Sequence, residues 1–178
     1  MRTGGQKTSG QAWGVVDSLD HGVWRCRYLC RRTKVRVFRS LVLPVLLYRC
    51  EIWTLIRNLR RRLNSFVTRS LRRILGYCWS DFVSNEQLLR ETQMRCVTCI
   101  VCERQLWLYG HVACFPDADP AHQILSARES HDCRRPMGRP RASWLQQVNQ
   151  NLKEIGMGQA SACGTARDPW STGGKWTQ

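Results

Sequence analysis

An all-α fold, built as an irregular helical bundle with loose ends, is predicted by three observations. Apolar residues recur at helical spacing through most of the chain, no long alternating run suggests a sheet, and Gly, Pro and Ser/Asp/Asn sit where helices begin and end. From Thr33 to Leu43 the residues Val35, Phe38, Leu41 and Val42 define a helix that must stop or kink near Pro44, which lacks an N–H and crowds the preceding turn. A second helix is expected from Val45 to Ile56. The next is the clearest: Leu59, Leu63, Phe66, Val67, Leu71, Ile74 and Leu75 form one stripe, and Gly76 supplies the stop. After a turn at Cys78–Val83, Ser84-Asn85-Glu86-Gln87 reads as a capping box opening a short helix to Arg90 or Glu91. Thr92–Tyr109 forms a further helix ended by Gly110. Asp119 caps a short helix that starts at Pro120 and runs through Ala127. Ser130–Arg139 is a basic, irregular connection. Pro140 then opens an amphipathic helix with Trp144, Leu145, Val148, Leu152 and Ile155 inward, closed by Gly156. Four segments are expected: a disordered tail over 1–14, a basic helical region over 15–76, a helical extension over 77–157 and a disordered tail over 158–178. Met1–Gln11 and Gly158–Gln178 are Gly/Ser/Thr-rich and aperiodic.

Composition narrows the partner. Of 28 cationic side chains 24 are Arg, against 13 carboxylates. Residues 1–76 carry 17 Arg or Lys and only Asp17, Asp20 and Glu51, whereas residues 77–178 are nearly balanced. Such a lopsided field implies a polyanion. The preference for Arg, whose planar fork matches phosphate and stacks on bases, favours nucleic acid over a membrane surface. Arg57, Arg60, Arg61, Arg62, Arg69, Arg72 and Arg73 lie mainly off the apolar stripe of their helix, where seven cations without nearby carboxylates call for an external anion. Arg139 and Arg141, within an Arg-Arg-Pro-Met-Gly-Arg-Pro-Arg run over 134–141, form a second basic patch suited to a minor groove. No run approaches the roughly 18–20 apolar residues of a membrane span, and no apolar leader opens the chain. An intracellular, nuclear location is expected.

Ten cysteines raise metal binding. Cys96-x2-Cys99 followed by His111-x2-Cys114 offers thiolate and imidazole ligands suited to zinc, the basis of an alternative reading as a zinc-dependent DNA-binding or nuclease module. Against it, Cys96 and Cys99 fall within an expected helix, not on a knuckle. Asp117 and Asp119 could hold Mg²⁺, yet Asp119 is better explained as a helix cap. No phosphate loop and no nucleophile–base set is present, so no catalytic residue and no cofactor is assigned.

The ordered series of short motifs is the most specific signal. Trp24 to Lys34 (WRCRYLCRRTK), Leu43-Pro-Val-Leu-Leu-Tyr48 with Glu51 and Trp53, and Leu71-Arg-Arg-Ile-Leu-Gly76 with Trp79, Asp81 and Asn85 resemble non-LTR (LINE-type) retrotransposon polyproteins. So do Leu108-Tyr-Gly-His-Val112 and Gly138-Arg-Pro140 with Trp144. The resemblance covers about residues 15–160 and implies the helical thumb of a reverse transcriptase with its C-terminal extension. It implies a grip on the backbone of an RNA–DNA hybrid or duplex, in company with a polymerase palm. The palm's Asp-Asp element does not occur in this sequence, so no polymerase activity is expected of these residues. The family pattern has Gly where Arg49 stands, Arg at Cys78, Cys102, Trp107 and Cys114, and an aromatic at Cys96. CG-initial Arg codons become Cys or Trp codons when methylated cytosine deaminates. The excess Cys and Trp thus fits decay of a genomic copy, and a non-functional reading frame is the remaining alternative.

Overall fold

The computed structural model describes residues 4–126 and 143–154, and among them there are eight α-helices and no strand. The helices are α1 (Gly4–Ser18), α2 (Arg31–Val37), α3 (Leu43–Leu46), α4 (Arg57–Leu75), α5 (Asn85–Glu91), α6 (Val97–Ala113), α7 (Pro120–Ser126) and α8 (Trp144–Glu154). The chain forms two compact units, Met1–Val101 and Cys102–Gln178, so the first includes α5 and reaches beyond the boundary expected at Gly76. Residues 158–178, expected as a tail, lie outside the described residues, as do Ser130–Arg139 and Pro140.

The first correction is at the N-terminus, where a tail to residue 14 was expected. Helix α1 starts at Gly4. Glycines at positions 4, 5, 10 and 14 weaken its local preference, by roughly 1 kcal/mol per Gly in a helix interior. Burial overrides that weakness. Thr8, Ala12 and Val16 fall four apart and are buried, and α1 packs on α3 and α4. The Trp13 ring stands edge-to-face with Phe66 of α4, centroids 4.8 Å apart. A π-helical turn at Asp20–Trp24 then returns the chain, and the buried Trp24 indole N–H donates to the Val16 carbonyl at 2.8 Å.

At Pro44 the helix neither stops nor restarts. Helix α2, a π-helical turn at Phe38–Val42 and α3 follow without interruption. Leu43 N–H donates to the Phe38 carbonyl five residues back. This wider turn accommodates the missing N–H and the bulk of the proline ring at the start of α3. The expected helix over Val45–Ile56 is not formed. Helix α3 ends at Leu46, Arg49 takes a left-handed conformation, φ 54°, three residues on, and a 3₁₀ turn at Cys50–Ile52 leads into extended chain. There Trp53 and Leu55 are buried while Ile52 and Ile56 point out, the period-two pattern of an extended segment.

Helix α4 follows its sequence signal. Leu59, Leu63, Phe66, Val67, Leu71, Ile74 and Leu75 are buried, and Gly76 at φ 75° closes the helix as Tyr77 N–H reaches back to the Arg72 carbonyl. Ser84 caps α5, its hydroxyl accepting from Gln87 N–H at 3.1 Å. Helix α6 starts five residues later than expected because Gln93, at φ 48°, ends α5 in a left-handed turn. It also runs past Gly110 to Ala113; Gly110 does not adopt the left-handed conformation through which glycine stops a helix. In the second unit Leu106, Tyr109, Val148 and Leu152 form a core, with Asp119 capping α7 through Ala121 N–H at 2.8 Å.

Two substitutions check this fold. A Cβ at Gly10 or Gly14 meets nothing within 4 Å, so Gly10→Ala and Gly14→Ala should each stabilise the chain by about 0.5–1 kcal/mol in a denaturant melt. A disordered N-terminus would show no gain. Arg49→Gly should add about 1 kcal/mol by relieving the left-handed backbone, whereas a loss of about 1 kcal/mol is expected if residue 49 is helical in solution.

Candidate nucleic-acid interface

Helix α4 sorts its arginines by face. Arg57, Arg61, Arg62 and Arg69 are exposed, and among the described residues none has a hydrogen-bond or ion-pair partner. The other three are engaged within the fold. Arg60 Nε donates to the Leu55 carbonyl at 3.4 Å, just before the helix. Arg72 reaches the Val83 carbonyl at 2.6 Å and Asn85 Oδ1 at 2.9 Å, fastening the chain between α4 and α5. Arg73 pairs with Asp17 at 2.6 Å and Asp20 at 3.1 Å, tying α4 to the end of α1 and the turn that follows. The hydrogen bond to Asp17 holds the Arg73 guanidinium above its ordinary pKa, with burial opposing and the charges of both aspartates adding to the rise. The expected set of phosphate-binding residues on α4 therefore divides into four outward cations and three that brace the helix.

The outward set borders a groove between α1 and α4. Arg61, Arg62 and Arg69 line it together with Trp13, Leu63 and Phe66, around a volume of about 430 Å³. Asn58 and Ser65 occupy the same face of α4 between the arginines, and their short side chains leave the groove open. Trp13 is half-buried, whereas Phe66 is 3% exposed. Trp13 falls in the segment expected as a tail, and the four-residue spacing of Thr8, Ala12 and Val16 beside it is the sequence signal for a helix there.

A second basic surface lies along α2. Arg31 donates to Glu91 at 3.1 Å and to Tyr77 at 3.2 Å, and its guanidinium stands 5.2 Å from the Tyr77 ring centre. The hydrogen bond from Tyr77 to the Glu91 carboxylate raises the Tyr77 pKa, aided by burial and the carboxylate's charge. Arg39 donates to the Thr92 and Gln93 carbonyls, which stabilises the left-handed turn after α5. Arg32 and Arg36 flank them, exposed and unpaired among the described residues. Their i,i+4 spacing on α2 was visible in the sequence. Arg139 and Arg141 lie outside the described residues.

The proposed zinc ligands are not assembled. Cys96 directly precedes the 17-residue α6, Cys99 stands in its first turn, His111 lies in its last turn, and Cys114 directly follows it. No group of three His, Cys, Asp or Glu residues among those described is placed to hold a metal ion. Cys96 instead ends the loop before α6, its Sγ 3.0 Å from the Thr98 hydroxyl. Burial pushes its thiol up, but hydrogen bonds from Thr98 and from backbone N–H groups outweigh burial and hold the pKa below its ordinary value. His111 stacks on Trp107 and meets Phe115 edge-on. Among the described residues no helix is long and apolar enough to cross a membrane.

No family model matches this chain, and neither the curated proteins nor the solved structures contain one similar to it.

The division of α4 predicts two different mutant behaviours. Arg73→Ala should lower stability by about 1 kcal/mol, a charged hydrogen bond discounted for a side chain 40% exposed, because it leaves the largely buried Asp20 with Arg25 alone. Arg62→Ala should leave the denaturant midpoint within error. Equal effects of the two substitutions would contradict the division.

Proposed function

We propose that this chain is the thumb and post-thumb region of a LINE-type reverse transcriptase, binding the backbone of an RNA–DNA hybrid or duplex without a polymerase active site of its own. The observation that carries the reading is the set of guanidinium groups at Arg57, Arg61, Arg62 and Arg69, exposed on α4 and without a partner among the described residues. Four cations held this close on a rigid helix repel one another. A phosphate backbone relieves that repulsion and releases its own counterions as it does so. The internal anchors of Arg72 and Arg73 support the reading from the other side, since they fix the helix that presents the set. Asp17 and Asp20 are consumed in that anchoring, which leaves the outward arginines of α4 without a carboxylate partner among the described residues.

Positions where the sequence departs from the family pattern lend further support. The pattern's Gly falls at Arg49, whose left-handed backbone is one that Gly adopts without steric cost. Its Arg positions at Cys78 and Trp107 are exposed, and those at Cys102 and Cys114 are partly exposed, all sites where a long cation could remain in water. The same substitutions favour the second reading, a decayed copy that still folds but grips weakly. The sequence holds no Asp-Asp element, so phosphoryl transfer is assigned to residues outside it.

Binding of a labelled RNA–DNA hybrid, measured by anisotropy across a salt series, tests the proposal. Affinity should fall steeply with salt. Replacing Arg57, Arg61, Arg62 and Arg69 with Ala should reduce the log–log slope by about 3 to 4, at about 0.9 per phosphate contact. An unchanged slope in that variant would remove α4 from the interface, and salt-independent binding would sink the phosphate reading altogether.

A further inference from the structure

Backbone contact alone asks only for cations along a ridge, and the groove between α1 and α4 offers more than that. Arg61, Arg62 and Arg69 line a recess of about 430 Å³ together with Trp13 and Phe66. Phosphates on the outside of a duplex do not need an aromatic partner, and duplex bases are stacked on one another and cannot reach into a recess. Trp13 and Phe66 meet edge-to-face at 69°, an arrangement in which one ring keeps both of its faces clear of the other. Phe66 is buried, so the accessible aromatic surface belongs to Trp13. The recess is of the size that encloses small ligands, about 300–1,000 Å³.

We infer that this groove takes one unpaired nucleotide, its base against the Trp13 ring and its phosphate among Arg61, Arg62 and Arg69. The inference rests on the nucleic-acid reading above and narrows it to a junction between duplex and single strand. Stacking tolerates any base, because every base presents a π face, so no sequence preference is expected. An acidic peptide is the competing occupant. The nucleotide is favoured because it satisfies the aromatic ring and the cations with one compact unit, whereas carboxylate side chains satisfy only the cations.

The full chain is mixed with a blunt RNA–DNA hybrid and with the same hybrid carrying a short single-stranded thymidine overhang, at one salt concentration. The overhang should bind about tenfold tighter, the scale of one base–aromatic stack. Trp13→Leu should remove that preference while blunt-hybrid affinity and its salt slope stay unchanged; their retention also reports that the variant is folded. Trp13→Phe should keep part of the preference. A 5-iodouracil placed in the overhang should cross-link to Trp13 in the unaltered chain. Equal binding of blunt and overhang hybrids, or cross-links that map away from α1 and α4, would overturn the inference while leaving the duplex reading intact. Displacement of the overhang hybrid by polyglutamate as effectively as by oligothymidylate would assign the groove to acidic peptides instead. Absence of any salt-dependent binding would overturn both readings.

Discussion

Burial of the apolar stripe of α4 is the constraint on which the first unit depends. Leu63, Phe66, Leu71 and Ile74 are almost fully enclosed, and α1, α2 and α5 all pack on this helix. Each such side chain contributes on the order of 1.5–3 kcal/mol when removed from water. A helix this strongly amphipathic has one orientation open to it. Once the stripe is inward, Arg57, Arg61, Arg62 and Arg69 must face solvent, whatever the cost of holding like charges together. The candidate interface is therefore a consequence of core packing and not of charge placement alone.

Charge is nevertheless used with economy. The residues before Gly76 hold few carboxylates, and Asp17 and Asp20 both go to Arg73, with Arg25 adding a second ion pair to Asp20. Glu91, from the second half of the sequence, serves Arg31 and Tyr77. These carboxylates thus brace the junctions between helices, and among the described residues none pairs with Arg57, Arg61, Arg62 and Arg69 on α4 or with Arg32 and Arg36 on α2. That separation turns a composition bias into a directional surface, because guanidinium groups that no described carboxylate pairs send their field into solvent.

Legibility from sequence followed the strength of local signals. Helix α4, its glycine stop, the Ser84 cap and the Asp119 cap each depend on neighbours within a few residues, and each was read correctly. Misreadings came where distant contacts decide. Helix α1 carries four glycines and forms because Ala12 and Val16 find a core. The Val45–Ile56 run is apolar enough for a helix, yet becomes a turn and an extended segment once Arg49 adopts the left-handed conformation. Start and end of α6 shifted for the same reason, through Gln93 and Gly110.

The sequence by itself determined the helical class, the amphipathic split of α4 and the excess of arginine at one end, because periodicity and charge are properties of neighbouring residues. Which arginines are outward and which are internal anchors was decided by tertiary structure alone. Arg69 and Arg72 are the same residue type one turn apart on α4, but only Arg72 lies within reach of the Val83 carbonyl and Asn85. Trp13 reached the groove by the same route, since a ring on one helix meets guanidinium groups on another only after both helices have packed. Hydrogen bonds and ring contacts act over a few ångströms, and sequence separation says little about which side chains come that close.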